Sequence, residues 1–354
     1  MVDTLLLTRA NVGSLLTIGE CMDAVGKAFC FYARGKAMPP KVLGIHCDNG
    51  GFHIKAGILG FERDYFVAKV NANFPGNPKQ HGLPTIQGVI VVCDAIDGRL
   101  LALMDSIEIT IIRTGAATGV AANCLALPDV AVATICGCGN QGIISVRALS
   151  RVRNLKKLFA FDPDARQVEK LRQEFGSHIS IIAVERDELQ VALRQSQIIV
   201  TCTPSKQPFI GAVDIAPGTF IAAVGADNEE KQELFPELTA SNKLVTDITE
   251  QCAAIGELHH AIENNLMKKC DVYAELGEII AQQKPGRISD DEIIIFDSTG
   301  TALQDVAAAA IVYEKAIAKG IGTRLNFSRQ GVDLDISKKN ERPISALRRW
   351  FPFK

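Results

Sequence analysis

The chain has 354 residues, 47% of them hydrophobic and 22% charged, with a formal net charge of -2. That length is expected to divide into two domains with large cores, and the near-neutral balance lacks the basic footprint of a nucleic-acid binder. No apolar run of about 18 residues is present to span a bilayer, and the N-terminus "MVDTLLLTRANVGSLLT" has neither a basic n-region nor a cleavage site, so a cytoplasmic protein is expected.

In chain order, "TLLLT" reads as a first strand. A helix follows over 14–35, with Leu15, Leu16, Ile18, Met22, Val25, Ala28 and Phe29 on a broad apolar face. Glycine and two prolines in "RGKAMPPK" stop it. Strands are expected at 41–46, 51–56, 66–71, 87–94 and 100–105, parted by the turn signals "DNGG", "NFPGNP" and "DAIDGR". This predicts a mostly antiparallel sheet with a helix. A helix over 107–127 leads into Pro128, and the pattern then changes.

From there strands at 130–136, 158–161, 179–184, 198–201, 219–224, 244–247 and 293–296 alternate with helices, one of them near 188–194. That alternation argues for an α/β fold with a parallel, doubly wound sheet. A long alanine-rich helix, 302–319, ends at Gly320, and the tail, with its basic end "SALRRWFPFK", is expected to return to the first domain. There is no internal repeat.

The strand at 130–136 stops abruptly at Gly137. Gly137, Gly139 and Gly142 fit G-x-G-x-x-G, and Ile143, Ile144, Val146 and Leu149 resume at helical spacing. The next strand closes on Asp162, about 20 residues past the last glycine, where a dinucleotide-binding (Rossmann) unit needs a carboxylate for the ribose. The plainer reading makes Asp162 a cap for the helix that begins near Asp164. A carboxylate at 162 accepts both ribose hydroxyls and repels a 2′-phosphate, so NAD is expected in preference to NADP, with Arg166 close enough to soften the choice.

Four cations recur in the first domain: Lys41, Lys55, Lys69 and Arg113. Each lysine taken singly fits a snorkelling surface residue. Together, beside a dinucleotide fold, they suggest a pocket for a carboxylate, with arginine able to grip it bidentately. Asp227 follows the apolar strand 219–224 at its carboxyl end, where ligands bind in such sheets. It reads either as the cap of a helix beginning near Glu229 or as an acid/base group. Lys231 suits an anionic ligand or a solvated helix face, and Thr203 a cofactor contact or a plain turn. No metal is expected: the six histidines show no ligand spacing, His259 and His260 being adjacent, and Cys136 and Cys138 lack a second ligand pair.

Taken together, "MPPK", "VAKVNANFPGNP", "GLPTIQGVIVVCDAIDGRLLALMD", "IIRTGAATG", "ICGCGNQG", "AAVGADNEEKQEL" and "IFDSTGTALQDVA" resemble the ornithine cyclodeaminase/mu-crystallin family over residues 3–327, and within it the archaeal-type alanine dehydrogenases. The resemblance implies a homodimer with two domains per chain. Residues 1–125 and 302–354 would form an α+β substrate-binding and dimerisation domain, and 126–301 a Rossmann domain carrying NAD. It also implies that Asp227 is the acid/base residue, that Lys69 and Arg113 lie at substrate carboxylate and cofactor, and that Lys41 lines the pocket. Thr85, Asn140, Gln141, Asp162, Thr203, Val224, Lys231 and Ser298 match cofactor-contact positions, alongside Gly137 and Gly139. Cyclodeaminases carry a glutamate near Lys55 for the substrate's side-chain amine, and "GGFHIKAG" has none. The expected activity is therefore NAD-dependent oxidation of a small L-amino acid, or the reverse imine reduction. Cyclodeamination of ornithine and a crystallin-like ligand-binding role are the alternatives.

Overall fold

The computed structural model describes residues 3–61 and 63–326. The chain opens with β1 (Thr4–Leu7), α1 (Arg9–Leu15) and α2 (Ile18–Ala33). The single helix expected over 14–35 is thus two. Thr17 caps α2 by accepting from Glu20 N, and the Glu20 carboxylate reaches back to Thr17 N, so a capping box starts a new helix where periodicity alone runs on.

Next come β2 (Lys41–Cys47), β3 (Gly50–Gly60), β4 (Asp64–Asn73), α3 (Asn77–Gln80), β5 (Ile86–Asp94), β6 (Leu100–Asp105) and α4 (Ser106–Leu125). The glycine turn is framed by β7 (Val132–Cys136) and α5 (Asn140–Val152). After it follow β8 (Lys157–Phe161), α6 (Ala165–Phe175), β9 (Ser180–Ala183), α7 (Leu189–Arg194), β10 (Ile198–Thr201) and β11 (Phe220–Ala223). Then come α8 (Pro236–Ala240), β12 (Lys243–Thr246), α9 (Thr249–Ile255), α10 (Glu257–Glu263), β13 (Ala274–Glu275) and α11 (Leu276–Ile280). The last elements are β14 (Ile294–Asp297), α12 (Ala302–Lys319) and β15 (Thr323–Leu325).

The first sheet has the order β15-β1-β6-β5-β4-β3-β2, antiparallel except for the β1/β6 pair. The chain end does return to this sheet, as β15; the basic terminal segment lies outside the described residues. Alternation sorts its side chains. Leu59, Tyr65, Val67, Ile90 and Val92 are buried on one face, whereas Leu43, Ile45, Phe52 and Val89 leave an apolar surface open on the other.

The second sheet is parallel throughout, in the order β13-β12-β14-β11-β10-β7-β8-β9. Strands β10 and β11 are buried at every residue, as helices on both faces require. Strand order reverses between β7 and β10, so the glycine turn sits at the switch point of a Rossmann-type sheet.

Two helices knit the sheets together. A Cβ at Gly115 of α4 would stand 2.7 Å from Ile144 of α5, so only glycine lets these helices approach this closely. Helix α12 leaves the carboxyl end of β14 and packs back over β3 and β4. Residues of both sheets therefore meet at one edge. No helix among the described residues is long and apolar enough to cross a membrane.

Candidate active site

The glycine turn is shaped for a close-lying anion. Gly137 holds φ 97°, and a Cβ there would stand 2.9 Å from the Cys202 carbonyl. One at Gly142 would strike the Gly137 carbonyl at 2.1 Å, whereas Gly139 faces open space. No side chain caps α5, so its first N–H groups and its dipole remain available to a phosphate. The buried Gln141 Oε1 has no partner among the described residues. Asn140 is exposed at the start of the helix.

Asp162 does not cap the following helix. Asp164 does, accepting from Arg166 N and pairing with the Arg166 guanidinium, which is thereby turned outward. Asp162 instead accepts the Cys138 N–H at 2.8 Å and the Asp164 N–H at 2.8 Å, joining the end of β8 to the glycine turn. Beside it opens a cleft of about 630 Å³ lined by Gly137, Gly139, Asp162, Thr203, Pro204 and Phe209. The uncapped N–H groups at the start of α5, a ribose-ready acid and an unsatisfied amide oxygen fit a dinucleotide.

At the same edge, three of the four expected cations converge. Lys69 on β4 and Arg113 on α4 meet Asp305 of α12: Lys69 Nζ lies 2.8 Å from Oδ1, and Arg113 Nε lies 3.2 Å from it. Arg113 also donates to Gln304 Oε1 at 2.9 Å. Burial drives the Lys69 amine down to about 7, against the pull of Asp305; burial likewise raises Asp305, but Lys69 and Arg113 outweigh it and hold the carboxyl below its usual range.

Lys55 stands beside Lys69 in the β3/β4 register, but two of its N–H bonds go to the Thr299 and Gly300 carbonyls, at 2.9 and 2.6 Å. It clasps the turn after β14, which Asp247 holds from below by accepting Gly300 N and Ser298 Oγ. Lys55 thus has a structural bond set that its place in the sequence does not signal. Lys41 stands apart from the other three. It is exposed and pairs with Ala56, so strand alternation puts it on the opposite face of the sheet from Lys55.

Asp227 lies in the turn after β11, and no helix begins near Glu229, so the capping alternative falls away. Its carboxylate pairs with Lys231 Nζ at 2.7 Å while half of the side chain (52%) stays exposed. Burial works to raise this carboxyl, but Lys231, Lys55 and His53 prevail and lower it. Val224 and Ser298 are buried at neighbouring strand ends, and Thr85 lies just before β5. Sequence reasoning missed Asp305, Asp247 and Glu233, all fully buried acids, and the half-buried His53 on the Lys55 face. Only "GTALQD" within the family resemblance pointed toward Asp305. His259, His260 and Glu263 bring three donor atoms within 4.8 Å of one another, closer than their spacing suggests, but His260 Nε2 donates to the Lys231 carbonyl and His259 lies 3.4 Å from Glu263.

A doubly wound sheet with a phosphate-ready turn, facing a buried cation and acid cluster from a second sheet, defines a nucleotide-binding α/β protein. The sequence profile of the ornithine cyclodeaminase/mu-crystallin family matches residues 2–320, and the chain belongs to that family. The alanine dehydrogenase of Archaeoglobus fulgidus is 40% identical over 93% of this chain and 100% of its own length. An archaeal alanine dehydrogenase dimer with bound NAD superposes with a TM-score of 0.87 at 38% identity, covering 92% of this chain and 100% of that one. The Delta(1)-pyrroline-2-carboxylate reductase of Thermococcus litoralis, in complex with NADH and L-proline, gives 0.85 at 32% identity over 90% and 99%.

Proposed function

We propose that the protein is an NAD-dependent amino-acid dehydrogenase or imine reductase acting on a small L-amino acid, alanine being the first candidate. The observation that carries this is the buried cluster of Lys69, Arg113 and Asp305, with Lys55 as the charge that links it to Asp227. Bound at that turn, NAD would accept the hydride that leaves the substrate's Cα. Arg113 and Lys69 hold the substrate carboxylate and so aim Cα, a positioning role. Asp227, kept ionised by Lys231, takes the proton from the water that attacks the iminium carbon, and 2-oxo acid and ammonia leave. Asp162 selects NAD over NADP.

The apolar open face of the first sheet supports a homodimer, with Phe52, Leu43, Ile45 and Val89 covered by a second copy. The test is absorbance at the NADH band with NAD and a panel of L-amino acids, ammonia being followed in parallel. Both should rise together with the true substrate. Ammonia from ornithine without NADH would favour cyclodeamination instead. An Asp227→Ala variant should bind NADH normally and lose turnover; undiminished turnover would remove Asp227 from the mechanism.

A further inference from the structure

Glu233 is wholly closed to solvent, and no ion pair involves it among the described residues. Its two oxygens serve two different turns. Oε1 accepts the Thr203 N–H and the Thr203 hydroxyl, both at 2.7 Å. Oε2 accepts the Gly225 N–H at 3.1 Å. Thr203 belongs to the turn after β10, on the wall of the nucleotide cleft, and Gly225 to the turn after β11 that presents Asp227.

The backbone of Glu233 is itself held. Glu233 N donates to Glu257 Oε1 at 2.8 Å, and the Glu233 carbonyl accepts Phe209 N at 2.9 Å and Ile210 N at 3.2 Å. The fit on the Gly225 side is so close that a Cβ at 225 would stand 2.2 Å from Glu233 Oε2. A buried carboxyl group whose acceptor oxygens are divided between two strand-end turns fixes the spacing of those turns, because neither N–H has water to turn to.

We propose that Glu233 is a positioning residue, Oε1 setting the cofactor-side Thr203 turn and Oε2 setting the turn that aims Asp227. The proposal rests on the dehydrogenase reading of Asp227. Glutamine at this position has one acceptor oxygen. Thr203 offers it two donors, so that oxygen stays there and the amide nitrogen faces the Gly225 N–H, donor against donor. Glu233→Gln should therefore disturb the Asp227 turn and spare the Thr203 turn, whereas Glu233→Ala should release both.

The experiment is NADH titration by fluorescence and steady-state kinetics with the best amino-acid substrate, on the full chain and both variants, with folding checked by circular dichroism. E233Q should bind NADH within about threefold of wild type and lose kcat by about 10- to 100-fold, as small misplacements of a reacting group do. E233A should lose NADH affinity as well. An E233Q enzyme with wild-type kcat, or one losing NADH affinity and kcat in the same proportion, overturns the proposal. If E233A does not fold, E233Q decides by the same split. If the wild type turns over no amino or imino acid, the dehydrogenase reading fails by itself. Amide hydrogen exchange then decides the positioning: faster exchange at Gly225 but not at Thr203 in E233Q supports it, and unchanged exchange at both overturns it.

Discussion

Lys69 of the first sheet and Asp305 of the helix leaving the second stand 2.7 Å apart, Nζ to Oδ2, with side chains 3% and 0% exposed. Taking one ion of such a pair away strands the other in a medium that cannot solvate it. Asp305→Asn would leave both Lys69 and Arg113 short of a counter-charge, so a stability loss of about 3–5 kcal/mol is expected in urea denaturation. An unchanged midpoint would mean that the Asp305 charge contributes nothing net to stability.

Lys55→Met keeps the stem and removes the clasp on the Thr299 and Gly300 carbonyls. Gly300 O retains Gln251 Nε2 at 3.0 Å, so one buried carbonyl is left without a partner. The expected cost is about 1–3 kcal/mol, with loss of turnover as the turn before α12 loosens. A variant as stable and active as wild type would show that Asp247 and Gln251 suffice to hold that turn.

Asp162→Asn preserves an oxygen for the Cys138 N–H and discards the charge. NAD affinity is expected to fall by about tenfold, with a smaller loss for NADP, because the repulsion of a 2′-phosphate goes with it. Parallel titrations with NADH and NADPH measure this directly. Equal losses for both cofactors would confine Asp162 to bracing the glycine turn.

Asp297 supplies a pH signature. Burial pushes its carboxyl up to about 7, Asp247 adding to the rise, while the Leu258 N–H opposes it. Its Oδ1 has no partner among the described residues, as suits the oxygen that carries the proton. The unfolded carboxyl titrates near 4, so between about pH 4 and 7 the folded chain holds a proton that the unfolded chain releases. Its stabilising contribution is complete below that window and is lost as pH rises through it. Asp297→Asn should flatten the fall of Tm over this range relative to wild type, and thermal scans from pH 4 to 8 would reveal it. Parallel curves for the two proteins would refute the shift.

The glycine turn, Asp162 and Asp227 were legible because each depends on local order: strand, turn, helix and the end of the next strand lie close along the chain. The long helix 302–319 was legible for the same reason, and the break at Thr17 was missed only because a capping box interrupts an unbroken apolar face.

The cation pocket was half legible. Sequence put Lys41 with Lys55, Lys69 and Arg113, but face is a matter of register, and pairing Lys41 with Ala56 rather than with Lys55 turns it to the other side. The acids that complete the site had no local mark. Lys69 and Asp305 lie 236 positions apart, and Glu233 meets Thr203 across 30. By itself the sequence determined the doubly wound sheet, the nucleotide turn and the family, since periodicity and turn chemistry act over a few residues. Tertiary structure alone decided which charges are paired, which lysine is a clasp and which acid spans two turns, because burial and hydrogen-bond partners exist only once distant strands are brought together.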